Sequence, residues 1–246
     1  MVRYPASKLP NQGVTIFTQM SALAADRGAI NLSQGFPDYP APSALLESAA
    51  KQIDAGLNQY APLAGITELR QLIAAKIERL YGRRVDPDLE VTVTPGATEA
   101  IYSAITSVIR PGDEVIVFDP AYDSYAPSIE LNGGVPIHLS LLPPSFSVDW
   151  AAVRAAITPR TKMIITNTPH NPSGQVWGAT DLAALESVVD GTDILIVADE
   201  VYEHLVYDGL THPSVNRRQK LAERSVVISS FGKTYHVTGW RLGYCV

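Results

Sequence analysis

The chain has 246 residues, 46% hydrophobic and 18% charged, so it can bury a large core and has an ordinary globular composition. Its formal net charge is −6, and its lysines and arginines are scattered, which argues against a nucleic-acid surface. One cysteine, Cys245, cannot form an internal disulfide. Neither a signal-like start nor an apolar span of membrane length is visible, so we expect a cytoplasmic protein without membrane or nucleic-acid partners.

The first part of the chain is irregular in pattern. Residues 1 to about 43 are rich in Pro, Gly and Ser, with the densest turn signal at 35–40. Two helical patterns follow at 44–54 and 66–81, and a glycine stands just after each of them as a helix stop.

From residue 90 onwards, apolar runs typical of strands alternate with helical patterns. The runs lie at 90–94, 114–119, 162–166, 193–198 and 225–228, and the helical patterns at 97–109, 124–132 and 180–189. Near-continuous β-branched runs separated by helices predict an α/β fold, a mostly parallel sheet with helices on both faces. In such folds ligands bind at the carboxyl ends of the strands.

One lysine stands directly after an apolar run. Lys233 follows the stretch 226–228 and is flanked by small and aromatic residues, and Arg241 lies further along the same segment. A lysine held in a cleft is partly desolvated, which favours its neutral amine. Because a neutral amine can attack an aldehyde, Lys233 is the candidate nucleophile.

Three further motifs come directly after predicted strands. They are Asp199, the junction Gly96-Ala97-Thr98, and the segment 167–174, which contains a turn that begins at Asn171. The junction opens a helix, where backbone N–H groups can bind a phosphate. Taken alone, each motif also has an ordinary interpretation, as a helix cap, an empty strand–helix junction and a turn, respectively. Their joint occurrence with Lys233 favours a ligand site.

Other kinds of site are excluded by spacing. Gly232-Lys233-Thr234 resembles the end of a nucleotide-binding P-loop, but that loop needs a glycine where Val227 stands. The histidines and the single cysteine lack metal-ligand spacing, so no metal site is predicted. A Gly-x-Ser-x-Gly hydrolase motif is missing as well.

The run from Ser229 to Tyr244 resembles the cofactor-lysine segment of class I/II aminotransferases, the fold-type I enzymes that use pyridoxal 5'-phosphate. Matching motifs occur in family order from Gly35 to Arg241. Within the family, the segments 15–24, 31–38 and 229–236 are most similar to bacterial methionine aminotransferases and their kynurenine and glutamine-transaminase relatives. The resemblance therefore covers nearly the whole chain.

The resemblance implies how the cofactor is held. Lys233 forms the internal Schiff base, and the phosphate is bound by Ser230, Arg241 and the backbone amides of Ala97 and Thr98.

The cofactor ring has its own implied partners. Asp199 faces the pyridine nitrogen, Tyr202 and Asn171 donate to the phenolate oxygen, and Tyr122 stacks on the ring, although Tyr122 also reads as an ordinary partly buried tyrosine.

Substrate and partner subunit have implied residues too. Gly35 and Asn171 are expected to contact the substrate, and Tyr60 matches a tyrosine that reaches the phosphate bound to the neighbouring subunit, so a homodimer is expected. By the same resemblance, residues 1–43 are an N-terminal segment near the active site and the dimer interface, and residues 44–246 are the large cofactor-binding domain.

The implied activity is transfer of an amino group from an apolar or aromatic, methionine-like L-amino acid to a 2-oxo acid. Two alternatives stay open: a carbon–sulfur β-lyase that uses the same site, and a catalytically inactive cofactor-binding fragment. The run 242–246 reads as the start of a strand whose backbone groups lack partners, so we expect a truncated chain without the C-terminal small domain of similar enzymes.

Overall fold

The computed structural model of the chain describes residues 5–10, 12–35 and 38–246. Two residues of the predicted turn, Phe36 and Pro37, lie outside the described residues. The helices are α1 Ile16–Arg27, α2 Ser43–Asp54, α3 Thr67–Tyr81, α4 Ala97–Val108, α5 Tyr125–Leu131, α6 Trp150–Ala156, α7 Ala179–Val189, α8 Gln219–Ala222 and α9 Phe231–Thr234. The strands are β1 Thr92–Thr94, β2 Glu114–Asp119, β3 Val135–Ser140, β4 Thr161–Asn167, β5 Leu195–Asp199, β6 Ser225–Ser230 and β7 Gly243–Cys245.

These strands form one sheet in the order β1-β7-β6-β5-β4-β2-β3. From β6 to β3 all neighbours run parallel, whereas β7 is antiparallel to both β6 and β1. The prediction of a mostly parallel sheet is therefore confirmed.

Successive strand residues point to opposite sides of the sheet. Because both faces are apolar, helices cover both of them. On one face, strand residues such as Ile164 and Ile196 pack with Leu185 of α7. On the other, Met163 and Val197 pack with residues of α4 and α5. This alternation within β4 and β5 explains why their sequences are almost continuously apolar.

The C-terminal strand differs from the expectation. The run 242–246 does contain a strand, β7, but the prediction that its backbone groups lack partners is wrong. β7 is paired on both sides, and the amide of Val246 donates to the Val227 carbonyl at 2.9 Å. β7 therefore connects the edge strand β1 to the central strands through β6.

The sequence patterns did not predict α1, α6 and β3, nor the short helices α8 and α9. α1 lies inside the segment read as irregular, although Thr15 caps its start and Gly28, at φ 57°, ends it. α6 begins after Asp149, whose side chain accepts from two backbone amides. β3 is an edge strand without a fully buried residue, so it lacks the apolar run that identified the other parallel strands. In the described ranges, no helix is both long and apolar enough to cross a membrane.

Candidate active site

The carboxyl ends of adjacent strands bring the predicted site residues to one edge of the sheet. β4, β5 and β6 are parallel neighbours that end at Asn167, Asp199 and Ser230. Because β7 is antiparallel to β6, Arg241 stands just before the start of β7 at the same edge. The loop that carries Tyr122 follows the carboxyl end of β2 there as well.

A cavity of about 790 Å³ opens at this edge. It brings together ten residues that the sequence singled out: Gly35, Ala97, Thr98, Tyr122, Asn171, Asp199, Tyr202, Ser230, Lys233 and Arg241. Tyr60 is not brought to this cavity, and its side chain is fully exposed.

Asp199 is the most deeply buried charged group of the cavity, with 4% of its surface exposed. Its carboxylate accepts hydrogen bonds from the Tyr125 hydroxyl at 2.6 Å and from the Val201 amide at 3.3 Å. Burial disfavours the charged form and raises the pKa of Asp199 to about 6, although both hydrogen bonds oppose the shift. The cavity therefore contains a carboxylate that lacks a cationic partner in direct contact among the described residues.

Lys233 is half-buried, and its Nζ lies 5.6 Å from the centre of the Tyr202 ring. Burial lowers the pKa of Lys233, the positive charge of Arg241 lowers it further, and Asp199 opposes both effects. The neutral amine that the sequence predicts is thus favoured by the surroundings of Lys233.

The junction before α4 forms a close contact with Arg241. Gly96 has a φ of 82°, and a Cβ built there would lie 2.6 Å from Nη2 of Arg241. A Cβ at Gly243 would lie 2.6 Å from the Ala97 nitrogen. Since both glycines leave room for the chain and the guanidinium, the first amides of α4 and Arg241 lie side by side. This is a suitable place for a phosphate.

Asn167 is a site residue that sequence reasoning missed. Its Oδ1 accepts from the Asn171 amide at 2.8 Å, and its Nδ2 donates to the Asp199 carbonyl at 3.0 Å. It therefore fixes the loop that carries Asn171 against the end of β5. Its position at the end of an apolar strand run was a usable signal.

Tyr125 was missed as well. Its ring meets that of Tyr122 edge-on at a centroid distance of 5.6 Å, and its hydroxyl reaches Asp199. Burial and the neighbouring Asp199 charge raise the pKa of Tyr125, so its hydroxyl remains a proton donor. Nothing in the sequence distinguishes Tyr125 from a core tyrosine, because its partner lies 74 positions away.

The N-terminal segment supplies one wall of the cavity through Phe17, Gln34 and Gly35. Nε2 of His236, a residue that follows Lys233, lies 2.5 Å from the Tyr39 carbonyl and links this wall to the lysine loop. These contacts join distant parts of the chain, so local sequence patterns do not reveal them. Across the ranges that the structure describes, no cluster of three or more His, Cys, Asp or Glu residues is suited to a metal ion.

Comparison with known proteins agrees with this geometry. The family model described as "Aminotransferase class I and II" matches residues 27–246. The chain is 55% identical to the methionine aminotransferase of Escherichia coli, over 98% of this chain and 63% of that protein. It is 43% identical to a probable N-succinyldiaminopimelate aminotransferase of Mycobacterium tuberculosis, over 97% of this chain and 60% of that protein.

Solved structures are similar too. A crystal structure of an Escherichia coli protein with a methionine aminotransferase function has a TM-score of 0.95 and 54% identity, and the match covers 100% of this chain and 64% of that one. Thermus thermophilus aspartate aminotransferase with maleate has a TM-score of 0.91 and 35% identity, with coverage of 99% and 64%, respectively. The chain thus spans about 60% of the length of the relatives it matches. The family match and these identities establish that the chain belongs to the class I and II aminotransferases.

Proposed function

We propose that this chain binds pyridoxal 5'-phosphate and belongs to an enzyme that moves the amino group of a methionine-like L-amino acid to a 2-oxo acid. Enzymes of the family depend on this cofactor. The observation that carries the proposal is the shared cavity of Lys233 and Asp199, in which burial lowers the pKa of the amine and raises that of the carboxylate.

The residues present fit the cofactor. The buried Asp199 carboxylate offers a partner for a protonated ring nitrogen, and the α4 amides beside Arg241, with Ser230, suit a phosphate. When bound, pyridoxal phosphate supplies an aldehyde that bonds to an amine and a ring that stores the electrons released at the substrate Cα. Tyr202 and Asn171 line the same cavity and provide donors for the phenolate oxygen.

Lys233 has two tasks in this proposal. When pyridoxal phosphate is bound, the neutral amine of Lys233 would hold its aldehyde carbon, with release of water. Once the substrate amine has taken its place, the freed Lys233 amine would accept the proton from the substrate Cα. Both tasks need an amine that is unprotonated near neutral pH, which the burial of Lys233 and the adjacent Arg241 favour.

The substrate class follows from similarity and from the cavity wall. The 55% identity with the Escherichia coli methionine aminotransferase supports an apolar amino donor. Phe17, Tyr122 and Trp240 give the cavity apolar and aromatic surface that suits an unbranched thioether or an aromatic side chain. Gly35 and Asn171 are the proposed substrate contacts.

The proposed assembly is a cytoplasmic homodimer. The segment 1–43 forms part of the site and of the interface, and residues 44–246 form the large cofactor-binding domain. Tyr60, which is fully exposed on its own chain, reaches the phosphate in the neighbouring subunit. Partners are small amino and 2-oxo acids.

The experiment is a transfer assay. The protein is incubated with pyridoxal phosphate, an amino donor and a panel of 2-oxo acids, and both products are quantified by chromatography. We expect L-methionine and aromatic amino acids to be donors, with no turnover in Lys233→Ala. Release of pyruvate and thiol from a cysteine conjugate, without amino transfer, would instead assign a β-lyase. Cofactor binding without either reaction would identify a binding-only chain and contradict the proposed activity.

A further inference from the structure

A polar cluster lies on the face of β6 that is turned away from the cavity. We call it the back cluster, and it consists of Lys76, Tyr81, Glu203, Ser229 and Tyr244. Its centre is Glu203, which is only 4% exposed. Oε1 of Glu203 accepts from Lys76 Nζ and from the Ser229 hydroxyl, each at 2.5 Å, and Oε2 accepts from the Tyr81 hydroxyl. Lys76 Nζ also donates to the Tyr244 hydroxyl at 2.8 Å.

The back cluster is joined to the cavity through the β6–β7 pair. Ser229 is paired with Tyr244, and Ser230 is paired with Gly243. Because successive strand residues point to opposite faces, Ser229 and Tyr244 face the back cluster while Ser230 faces the cavity. A bond that fixes Ser229 therefore also fixes the backbone that carries Ser230.

The segment 199–203 is divided between the two faces in the same way. Asp199 and Tyr202 line the cavity, whereas Glu203 reaches Ser229 on the far side. The amide of Glu203 donates to the Glu200 carbonyl at 2.9 Å, so the segment forms a tight turn. Glu203 thus connects the segment that contacts the cofactor ring to the strand that precedes Lys233.

The electrostatics of the cluster support a fixed geometry. Burial by itself would raise the pKa of Glu203, but the charge of Lys76 and the hydrogen bonds from Lys76, Ser229 and Tyr81 outweigh it and lower the pKa. Loss of any hydrogen-bond donor to an ionised buried carboxylate costs free energy, because the charge is then left partly unpaired. The partners of Glu203 are therefore held in one arrangement.

We propose that Glu203 is a positioning residue. Through Ser229 it sets the distance between the ring contacts, Asp199 and Tyr202, and the anchoring groups, Ser230 and Lys233. Nothing in the back cluster touches the cavity, so Glu203 acts only through these residues. The inference rests on the proposed cofactor function of the same site.

The test compares two buried carboxylates. Glu203→Gln keeps the shape of the side chain and removes its charge. Glu114→Gln is the matched control, since Glu114 is also 4% exposed and bonded by Thr158 and Arg160, but lies at the amino end of β2, away from the cavity. For each protein we would measure the Kd for pyridoxal phosphate by absorbance titration, the pH midpoint of the lysine-linked absorbance band, and the unfolding midpoint.

We expect Glu203→Gln to raise the Kd about tenfold, by analogy with the loss of a hydrogen-bond partner behind a metal ligand, and to shift the pH midpoint of the band. Glu114→Gln should leave both within about twofold of the original protein while lowering the unfolding midpoint. Equal Kd values and pH midpoints in the two variants would overturn the inference. Failure of the original protein to bind the cofactor would instead reject the proposed function.

Ser229→Ala keeps the experiment decisive if Glu203→Gln does not fold. This change removes a single hydroxyl from the back cluster and leaves the Lys76–Glu203 ion pair intact. We expect a smaller increase in the Kd, about threefold, with the pH midpoint shifted in the same direction. An unchanged Kd and pH midpoint in a folded Ser229→Ala protein would overturn the role of Glu203.

Discussion

Among single residues, Asp199 and Lys233 have pKa values that the same cavity shifts in opposite directions. Burial disfavours the charged form of each, so the pKa of the carboxyl rises and that of the amine falls. Such paired shifts are common where a site is prepared for chemistry or for a charged ligand. They also have consequences for stability and for pH dependence that can be measured without any substrate.

Asp199→Asn should stabilise the cofactor-free protein at pH 8. The pKa of Asp199 is about 6 in the fold against an ordinary 3.8, so the folded state binds the proton more tightly and loses stability as pH rises between these values. Above pH 6 the full cost remains, up to about 3 kcal/mol for a shift of this size. Asparagine removes that cost and still offers an oxygen to Tyr125.

The measurement is urea unfolding of both proteins at pH 8 and pH 4. We expect a gain of about 1–3 kcal/mol at pH 8, little gain at pH 4, and weaker binding of pyridoxal phosphate by the variant. A variant that is less stable than the original protein at pH 8 would contradict the assignment of Asp199 as a carboxylate whose burial costs more than its hydrogen bonds return.

Lys233 should capture an aldehyde with a pH midpoint below 10.5, its ordinary pKa. The neutral fraction of the amine grows as pH rises through the lowered pKa, so the rate of capture grows with it and then levels off. Pyridoxal, which lacks the phosphate, is the suitable probe, and the rate is followed by absorbance. Arg241→Gln removes a neighbouring positive charge and should move the midpoint upwards. A midpoint at or above 10.5 in the original protein would contradict this account.

Among the elements, the start of α4 packs closely against Arg241, which precedes β7 by two residues. The fit depends on Gly96, whose backbone has a positive φ and whose missing side chain leaves space for Arg241. Glycine at position 96 therefore permits both the positive φ of the backbone and the close position of the Arg241 guanidinium.

Gly96→Ala should weaken cofactor binding more than backbone strain alone explains. Gly112→Ala is the matched control, because Gly112 has a similar φ of 89° but no heavy atom within 4 Å of an added Cβ. Gly112→Ala should cost about 1–2 kcal/mol of stability from its positive φ, and Gly96→Ala more, because a positive φ combined with a ψ of 166° is a conformation essentially limited to glycine. Only Gly96→Ala should raise the Kd for pyridoxal phosphate, by about tenfold or more, because it displaces Arg241. Equal Kd values in the two variants would show that Arg241 is not held as described.

The central strands were predictable from the sequence because each is a nearly continuous apolar run, whereas the edge strand β3 was missed. β2, β4, β5 and β6 are central strands whose apolar runs lie close to the predicted positions. β3 lies at the sheet edge and has no such run. The residues that line the cavity were identified by their place after these runs and by family resemblance, whereas Tyr125 and Glu203 act through partners that only the folded chain brings near.

At the scale of the whole molecule, the N-terminal part of the chain exposes large apolar side chains. Ile30, Leu32, Leu57 and Leu63 are each more than 70% exposed, and Tyr60 is fully exposed beside them in sequence. We propose that these side chains contact a second copy of the chain, because large exposed apolar side chains are suited to an interface. The strand order that assembles the site was not predictable, because sequence patterns identify strands without their neighbours.

Leu63→Asp should weaken self-association. A charge at position 63 would lose its hydration in the proposed apolar interface without gaining a partner, so the dimer would be destabilised by several kcal/mol. Light scattering coupled to gel filtration should give the mass of two chains for the original protein and of one chain for the variant at low micromolar concentration. Leu142→Asp, at an exposed leucine beyond the β3 edge, is the control and should remain dimeric. A monomeric original protein would contradict the proposed homodimer.

Chemical trapping shows whether Lys233 carries the cofactor aldehyde in the cavity that it shares with Asp199. The protein is loaded with pyridoxal phosphate, reduced with borohydride, digested and mapped by mass spectrometry. We predict that the reduced cofactor is found on the peptide that contains Lys233 and that the Lys233→Ala protein carries no label above background. A label on another lysine, or an unlabelled Lys233 in a protein that has bound the cofactor, would contradict the account.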